Sequence, residues 1–178
     1  MEKIFVGIDP GKAGAMVSIL QDGTIGVQTF PFIGDEYDIS AMNEIFKEFK
    51  ELNAHVGIED VKALQKPLDR GNWSLSACKH ILITLCHVHK IPYTLVYSKT
   101  WQKEMFQGIP VHRKASKPDK NGKLKEGSVE TKVMAHLAAV KSFPGVKLTP
   151  PTSVRATKPH DGIVDSLLIA EYCRRHFK

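Results

Sequence analysis

The first third of the chain alternates short apolar runs with tight turns. Ile4 to Ile8 form an unbroken apolar run, which predicts a buried strand. Asp9 to Gly14 reads as a turn, because proline and glycine punctuate it. Apolar runs at 15–20 and 24–32 flank Gln21-Asp22-Gly23, and Asp-Gly between such runs is a strong hairpin signal. We therefore expect three antiparallel strands at the N-terminus.

The remainder alternates helical periodicity with short strands, which favours an α/β fold: a mixed five-stranded sheet with helices on both faces. Ser40, Ser98 and Ser128 are candidate helix caps. In the helix after Ser128 we expect Val133, Leu137 and Val140 to face inward. The predicted helices cover Ser40 to about Leu52, Trp73–His89, a short segment from Ser98, Ser128–Lys141 and Asp161–Phe177, and the further strands are His55–Glu59 and Tyr93–Val96.

Three connecting segments lack periodicity. Residues 60–72 predict a polar loop, and residues 143–159 look irregular. Residues 108–127 are rich in lysine, glycine and proline, which predicts a mobile basic loop. The chain has 178 residues, so we expect one domain over 1–178 that carries this loop.

Charge and hydropathy narrow the function classes. The net charge of +6 and the pI of about 9.2 favour a polyanionic partner, because basic groups displace counterions from phosphates. No apolar run is long enough to span a bilayer. The N-terminus lacks a basic start followed by a long apolar stretch, so we expect no secretion. The expected location is the cytoplasm or the DNA-containing compartment of the host cell.

The cysteines allow two interpretations. Cys78, Cys86 and His89 could share a helix face and bind zinc, although no fourth ligand suggests itself. Leu75, Cys78, Leu82 and Leu85 also form an apolar stripe, and buried cysteine behaves as a small hydrophobe. The packing interpretation is the stronger one. The stripe lies either in the core or in a dimer interface.

Four acidic residues occupy positions from which they can meet. Asp9 follows the first strand and Glu59 follows the fourth. Asp161 and Asp165 lie four apart on the last helix and so face one side. If the first and fourth strands are neighbours, the carboxylates converge at one sheet end and repel each other without cations. Such oxygen-rich sites suit Mg²⁺ or Mn²⁺, and two ions about 4 Å apart support phosphodiester hydrolysis.

Two stretches resemble a known family. Residues 7–15 (GIDPGKAGA) resemble the opening of RuvC-type Holliday-junction resolvases, and residues 160–170 (HDGIVDSLLIA) resemble their closing helix. Trp101 and the stretch from Ala135 to Pro144 are similar to further parts of the phage and chloroplast variants. The spacing of four between Asp161 and Asp165 departs from the bacterial spacing of three. Gln102 stands where a lysine often follows the tryptophan, with Lys103 one residue further on.

The resemblance implies a ribonuclease H-like fold, a homodimer and paired Mg²⁺-dependent nicks in opposing strands of four-way DNA junctions, with Mn²⁺ as a possible substitute. It also implies two ions per site and four metal ligands: Asp9, Glu59, Asp161 and Asp165. Trp73 and Leu64 could form an apolar wedge at the crossover. The candidate DNA-binding lysines are Lys12, Lys99, Lys103, Lys158 and those of the basic loop, Lys114, Lys117, Lys120, Lys123 and Lys125.

Two other functions stay open. A ribonuclease H-like nuclease that cuts RNA–DNA hybrids or flaps would use the same four acids. A non-catalytic DNA-binding module is less favoured, since all four acids are present. The opening motif also resembles sugar-kinase and actin-like phosphate loops. Those folds need two such domains, and Ala13 stands where a P-loop has serine or threonine.

Overall fold

The structure, a computed structural model, describes residues 3–60, 70–118, 120, 124–151 and 157–177 and, of residues 70–73, the backbone alone. Its strands are β1 (Ile4–Asp9), β2 (Ala15–Ile19), β3 (Ile25–Thr29), β4 (Phe32–Ile33), β5 (Glu36–Tyr37), β6 (Ala54–Glu59), β7 (Tyr93–Val96), β8 (Lys117–Pro118) and β9 (Leu124–Lys125). Its helices are α1 (Ile39–Glu51), α2 (Arg70–Val88), α3 (Ser98–Met105), α4 (Thr131–Ser142) and α5 (Asp161–His176).

The central sheet has five strands in the order β3-β2-β1-β6-β7. β1 pairs antiparallel with β2, which pairs antiparallel with β3, so the N-terminal meander is confirmed. β1 pairs parallel with β6, and β6 pairs parallel with β7. The sheet is therefore mixed, and the first and fourth strands of the sheet in chain order are neighbours.

Helices cover both faces of this sheet, as expected for strands that are apolar on both sides. On one face, the side chains of Phe5, Val17 and Leu167 belong to a core that also contains residues of α3, α4 and α5. On the other, Val6, Ile8 and residues of α1 and α2 form a second core. In the part of the chain that is described, no helix is long and apolar enough to cross a membrane.

The apolar stripe of α2 belongs to the second core. Cys78, Leu82, Leu85 and Cys86 are all buried there, so the packing interpretation is confirmed for these residues. Burial raises the pKa of the Cys86 thiol to about 12, which keeps this sulfur in its neutral form. His89 lies apart from this packing, with its Nε2 2.8 Å from Asn43 Oδ1.

Several predicted boundaries were wrong. β3 ends at Thr29 and not at Phe32, and β4 and β5 form a separate two-stranded hairpin. Asp38, not Ser40, caps α1, because its carboxylate accepts the Ala41 N–H at 2.9 Å. The caps of α3 and α4 are Tyr97 and Glu130, neither with a side-chain capping bond, so Ser98 and Ser128 do not cap them.

The predicted inward face of α4 was also wrong. Val133 and Val140 are 38% and 45% exposed, and Leu137 is only partly buried. The buried positions are Met134, Ala135, Ala138 and Ala139. A helix whose buried face carries small residues packs closely against its neighbour, here α5. Counting large apolar residues selected the wrong side of α4.

The predicted basic loop at 108–127 contains regular structure. β8 and β9 pair antiparallel, and an isolated bridge joins Arg113 to Val129. Strands of two residues are too short to produce a readable period in the sequence. That this segment is mobile stays a prediction.

Candidate functional site

Parallel pairing of β1 and β6 brings Asp9 beside Glu59. Ile8 is in register with Ile58, so the residues that follow lie at the same sheet edge. The two carboxyls lie close enough to interact directly, because after burial Glu59 is the largest contributor to the raised pKa of Asp9. The end of β1 is further fixed by Ser166, whose Oγ accepts the Asp9 N–H at 3.0 Å and donates to Ala15 O at 2.8 Å.

α5 can lie close to this edge because glycines at two contacts leave no side chain between the approaching backbones. A Cβ built on Gly7 would lie 2.0 Å from Ser166 O and 2.3 Å from Ala170 N. A Cβ built on Gly162 would lie 2.4 Å from Ala13 O. Helix and strand can therefore be this close only without those side chains. As a result, the first two turns of α5 carry Asp161 and Asp165 to the ends of β1 and β6.

The four carboxylates act on one another electrostatically. Burial and then repulsion by Glu59 and Asp165 raise the pKa of Asp9 to about 8, with a further contribution from Asp161. The pKa of Asp165 rises to about 7, again first from burial and then from Glu59 and Asp161. Sequence spacing had predicted this convergence, and the structure brings all four residues into one neighbourhood.

The neighbourhood is not a closed coordination shell. Among the described residues, no three acidic, histidine or cysteine side chains form a preformed metal-binding group. Asp161 is turned towards solvent, its side chain 55% exposed, and forms an ion pair with Lys132. Asp161, and more weakly Asp165 and Asp9, raise the pKa of Lys132. The donor set of carboxylate oxygens fits Mg²⁺ or Mn²⁺. Either cation would offset the repulsion among the four carboxylates.

Trp101 holds Glu59 from inside the protein. Its indole Nε1–H donates to Glu59 Oε1 at 3.2 Å, and the Trp101 side chain is fully buried. Glu59 itself is 7% exposed, so this donor satisfies an oxygen that has little access to water. The indole therefore fixes the orientation of the carboxylate.

Trp101→Phe is expected to weaken Mg²⁺ binding by the four acids about 10- to 100-fold, the usual effect of losing a partner that orients a metal ligand. The Mg²⁺ concentration at half-saturation should rise accordingly. Phe106→Leu is the control, because the Phe106 ring packs edge-on against Trp101 at 5.9 Å and its loss leaves the indole N–H in place. Equal effects of both variants on the Mg²⁺ dependence would refute an orienting role.

Asp60 and Lys79 form a second charged contact beside the site. Their side chains pair with only 13% and 16% exposure, and Asp60 N donates to Val96 O at 2.8 Å. The pair ties the residue after Glu59 to α2. Breaking such a buried pair leaves one charge uncompensated, which is usually strongly destabilising.

The candidate DNA-binding lysines that the structure describes all lie on the surface. Lys12 pairs with Asp35 at 3.1 Å. The structure places Lys99 and Lys103 on α3 and Lys158 before α5, all exposed. Lys114, Lys117, Lys120 and Lys125 are exposed in the segment that contains β8 and β9, whereas Leu64, Lys123 and the Trp73 side chain lie outside the described residues.

Sequence reasoning missed Lys132 and Ser166, and it noted Trp101 only through the family resemblance. Ser166 directly follows Asp165 and could have been read as a polar residue in an otherwise apolar stretch of α5. Lys132 has no such signal, because it lies on α4 and its contact with Asp161 depends on tertiary packing.

No family model matches this sequence, and no curated protein matches it. Solved structures do match. RuvC of Thermus thermophilus in complex with a Holliday junction substrate has a TM-score of 0.54 and 12% identity, covering 99% of this chain and 97% of that chain. A second T. thermophilus RuvC structure gives a TM-score of 0.49 and 14% identity, with 97% and 96% covered.

The first of these matches defines the fold. The mixed five-stranded sheet with helices on both faces is the α/β fold of the ribonuclease H-like class. Within that class the chain has a RuvC-like fold over its whole length. At 12% identity the likeness establishes the fold, and a shared fold does not by itself imply a shared activity.

Proposed function

We propose that this protein is a divalent-metal-dependent endonuclease that makes paired nicks in opposing strands of four-way DNA junctions during recombination or DNA processing. One observation carries the proposal: Asp9, Glu59, Asp161 and Asp165 lie together at the sheet end of a RuvC-like fold, where burial and then repulsion from neighbouring acids raise the pKa of Asp9 and Asp165. Perturbed carboxylates that converge in this way are typical of functional sites.

The four acids are the residues that would hold the metal. Their oxygens suit Mg²⁺, with Mn²⁺ as a substitute, and a pair of ions is the arrangement expected of phosphodiester hydrolysis. Bound there, the metal supplies a nucleophilic water and charge stabilisation at the phosphate. Histidine and cysteine ligands would favour zinc, and these four ligands include neither.

The chain's own groups prepare this chemistry. Trp101 orients Glu59 through its indole N–H, and Ser166 fixes the strand end that carries Asp9. The ammonium of Lys132 lies beside Asp161 and offsets part of the negative charge that a phosphate would meet on approach. The net charge of +6 then supplies attraction for DNA, while the acids remain confined to one edge of the sheet.

Paired nicks require two sites, so we propose a homodimer, as the family resemblance implies. The T. thermophilus relative is described in complex with a Holliday junction substrate, which supports the choice of branched DNA. Sedimentation of the protein with junction DNA should give two protein chains per junction. One chain per junction at saturating protein would contradict the dimer.

A panel of substrates tests the substrate class. A labelled four-way junction, a linear duplex, a flap and an RNA–DNA hybrid are each incubated with Mg²⁺ and with a chelator. We expect Mg²⁺-dependent cutting of the junction and sparing of the duplex. Cutting restricted to the hybrid or flap would refute the junction substrate while retaining the metal-dependent nuclease. Absence of cutting with Mg²⁺ and Mn²⁺ on every substrate would refute the nuclease.

A further inference from the structure

We infer that a two-stranded ribbon beside the acidic site binds the phosphate backbone of a duplex DNA arm. This basic ribbon consists of residues 112–118 and 124–130 and contains β8 and β9. The inference rests on the proposed function, since it assigns part of the same substrate to a surface that the nuclease chemistry does not use.

The base of the ribbon is well defined. Lys114 N donates to Ser128 O at 3.0 Å, and Glu130 N donates to His112 O at 2.8 Å. A Cβ on Gly127 would lie 1.7 Å from Lys114 O, so the two strands approach more closely than a side chain allows. The base is thus a paired segment whose direction is fixed by backbone contacts.

The ribbon begins next to the acidic site. Its second segment, residues 124–130, ends at Glu130, the N-cap of α4, and Lys132 in the first turn of α4 pairs with Asp161. Between the ribbon and the site there is therefore less than one helical turn. A phosphate bound at the four acids would therefore lie near the base of this ribbon.

Charge is arranged unfavourably within the ribbon itself. Lys117 lies directly opposite Lys125 in the β8–β9 pairing. Like charges at opposite positions of an antiparallel pair destabilise it, and a two-stranded ribbon is only marginally stable alone. An anionic backbone placed along both lysines would remove this repulsion. The pairing therefore favours a polyanionic ligand.

Two acids, Glu126 and Glu130, offset only part of the positive charge of the ribbon's Arg113, Lys114, Lys117 and Lys125. Glu126 is paired with Arg113 at 3.0 Å, and Arg113 also donates to Gly127 O. Lys114 is exposed near the base of the ribbon, and the exposed pair Lys117 and Lys125 lies further along it, so the ribbon presents positive charge at two levels. Charge at more than one level suits a phosphate backbone better than a single small anion. Phosphate contacts of this kind position DNA without reading its sequence.

The ribbon is tested by duplex binding in chelator, where no cleavage occurs. The variant Lys117→Ala/Lys125→Ala should bind a 30-base-pair duplex about tenfold or more weakly at 0.1 M salt. The slope of log affinity against log salt should fall by roughly 1.8, which is about 0.9 for each lost phosphate contact. The matched control Lys47→Ala/Lys50→Ala removes two exposed lysines of α1 and should stay within about twofold of the wild type.

A second variant separates binding from folding. Lys117→Glu replaces the like-charge pair by opposite charges, so it should hold the ribbon at least as well as the wild type. It should nevertheless bind duplex more weakly than Lys117→Ala. An affinity and salt slope equal to those of the control variant, or tighter duplex binding by Lys117→Glu, would overturn the inference. If the ribbon variants lose duplex affinity as expected but the wild type cuts no junction in Mg²⁺, only the proposed nuclease activity is refuted.

Discussion

Asp9→Asn is expected to lower the rate of junction cleavage by about three orders of magnitude or more. Its affinity for the junction should stay within about twofold of the wild type. Asp9 is the acid on which Glu59, Asp165 and Asp161 all act, so its charge is central to any bound metal. Affinity should persist because phosphate contacts supply most of it. Single-turnover cleavage and binding in chelator measure the two effects. The control is Asp22→Asn, in an exposed turn where an amide oxygen can still accept the Thr24 N–H.

The same variant is expected to be more stable than the wild type in the absence of metal. The folded-state pKa of Asp9, about 8, lies above the ordinary value of 3.8. Between those values the unfolded chain ionises more readily than the folded one, so Asp9 lowers stability as pH rises from about 4 to 8. The uncharged asparagine of Asp9→Asn does not ionise, so the variant does not lose folding stability in this way. We expect a gain of about 1 to 3 kcal/mol at pH 7 in chelator.

Thermal unfolding at two pH values checks this gain. At pH 7 the melting temperature of Asp9→Asn should exceed that of the wild type by several degrees. At a pH of about 3, below the ordinary value of 3.8, the two should nearly coincide, because Asp9 is then mostly protonated in both the folded and the unfolded state. Mg²⁺ should narrow the difference at pH 7, since it stabilises the folded form that binds it. An identical difference at both pH values would contradict the placement of Asp9 among the acids.

Gly7→Ala is expected to destabilise the protein by about 4 kcal/mol or more, enough to prevent folding of many proteins. The added Cβ would lie 2.0 Å from Ser166 O and 2.3 Å from Ala170 N. Both are backbone atoms of α5, so no change of side-chain rotamer relieves the contact. The only relief is to move α5 off β1, which also removes Asp161 and Asp165 from Asp9. Urea unfolding of the metal-free protein measures the loss.

Gly57→Ala provides the comparison. The Cβ added there would meet Cys173 Sγ at 2.4 Å and Ile169 Cγ2 at 3.1 Å, which are side-chain atoms. Gly57→Ala should lower the free energy of unfolding less than Gly7→Ala does, and this loss should shrink when Cys173→Ala is added. The pair Gly7→Ala with Ser166→Ala should show no such recovery, because the carbonyl remains. Recovery in the second pair would show that side chains, not backbone, limit the approach of α5.

The sheet and the acidic site could be predicted because they follow local rules. Asp9 and Glu59 each come directly after an unbroken apolar run, and parallel neighbours deliver such residues to one edge. Asp161 and Asp165 share a helix face by spacing alone. The spacing also placed the start of α5 correctly at Asp161.

What could not be predicted depends on contacts between distant segments. The buried face of α4 consists largely of alanine, so its packing leaves a weak periodic signal. Lys132 and Trp101 reach the acids from α4 and α3, and nothing in their own neighbourhoods indicates which carboxylate each one meets. The basic ribbon is held by backbone bonds such as that between Lys114 and Ser128, which composition does not encode.

The most direct test of the central claim uses an immobile four-way junction with a different fluorescent label on each of two opposing strands. Wild-type protein, Asp9→Asn and Asp22→Asn are compared in Mg²⁺, and wild type also in chelator. The account predicts nicks near the crossover in both labelled strands of one junction by the wild type and Asp22→Asn, and none by Asp9→Asn or in chelator. Unimpaired cutting by Asp9→Asn, or by the wild type in chelator, would contradict it.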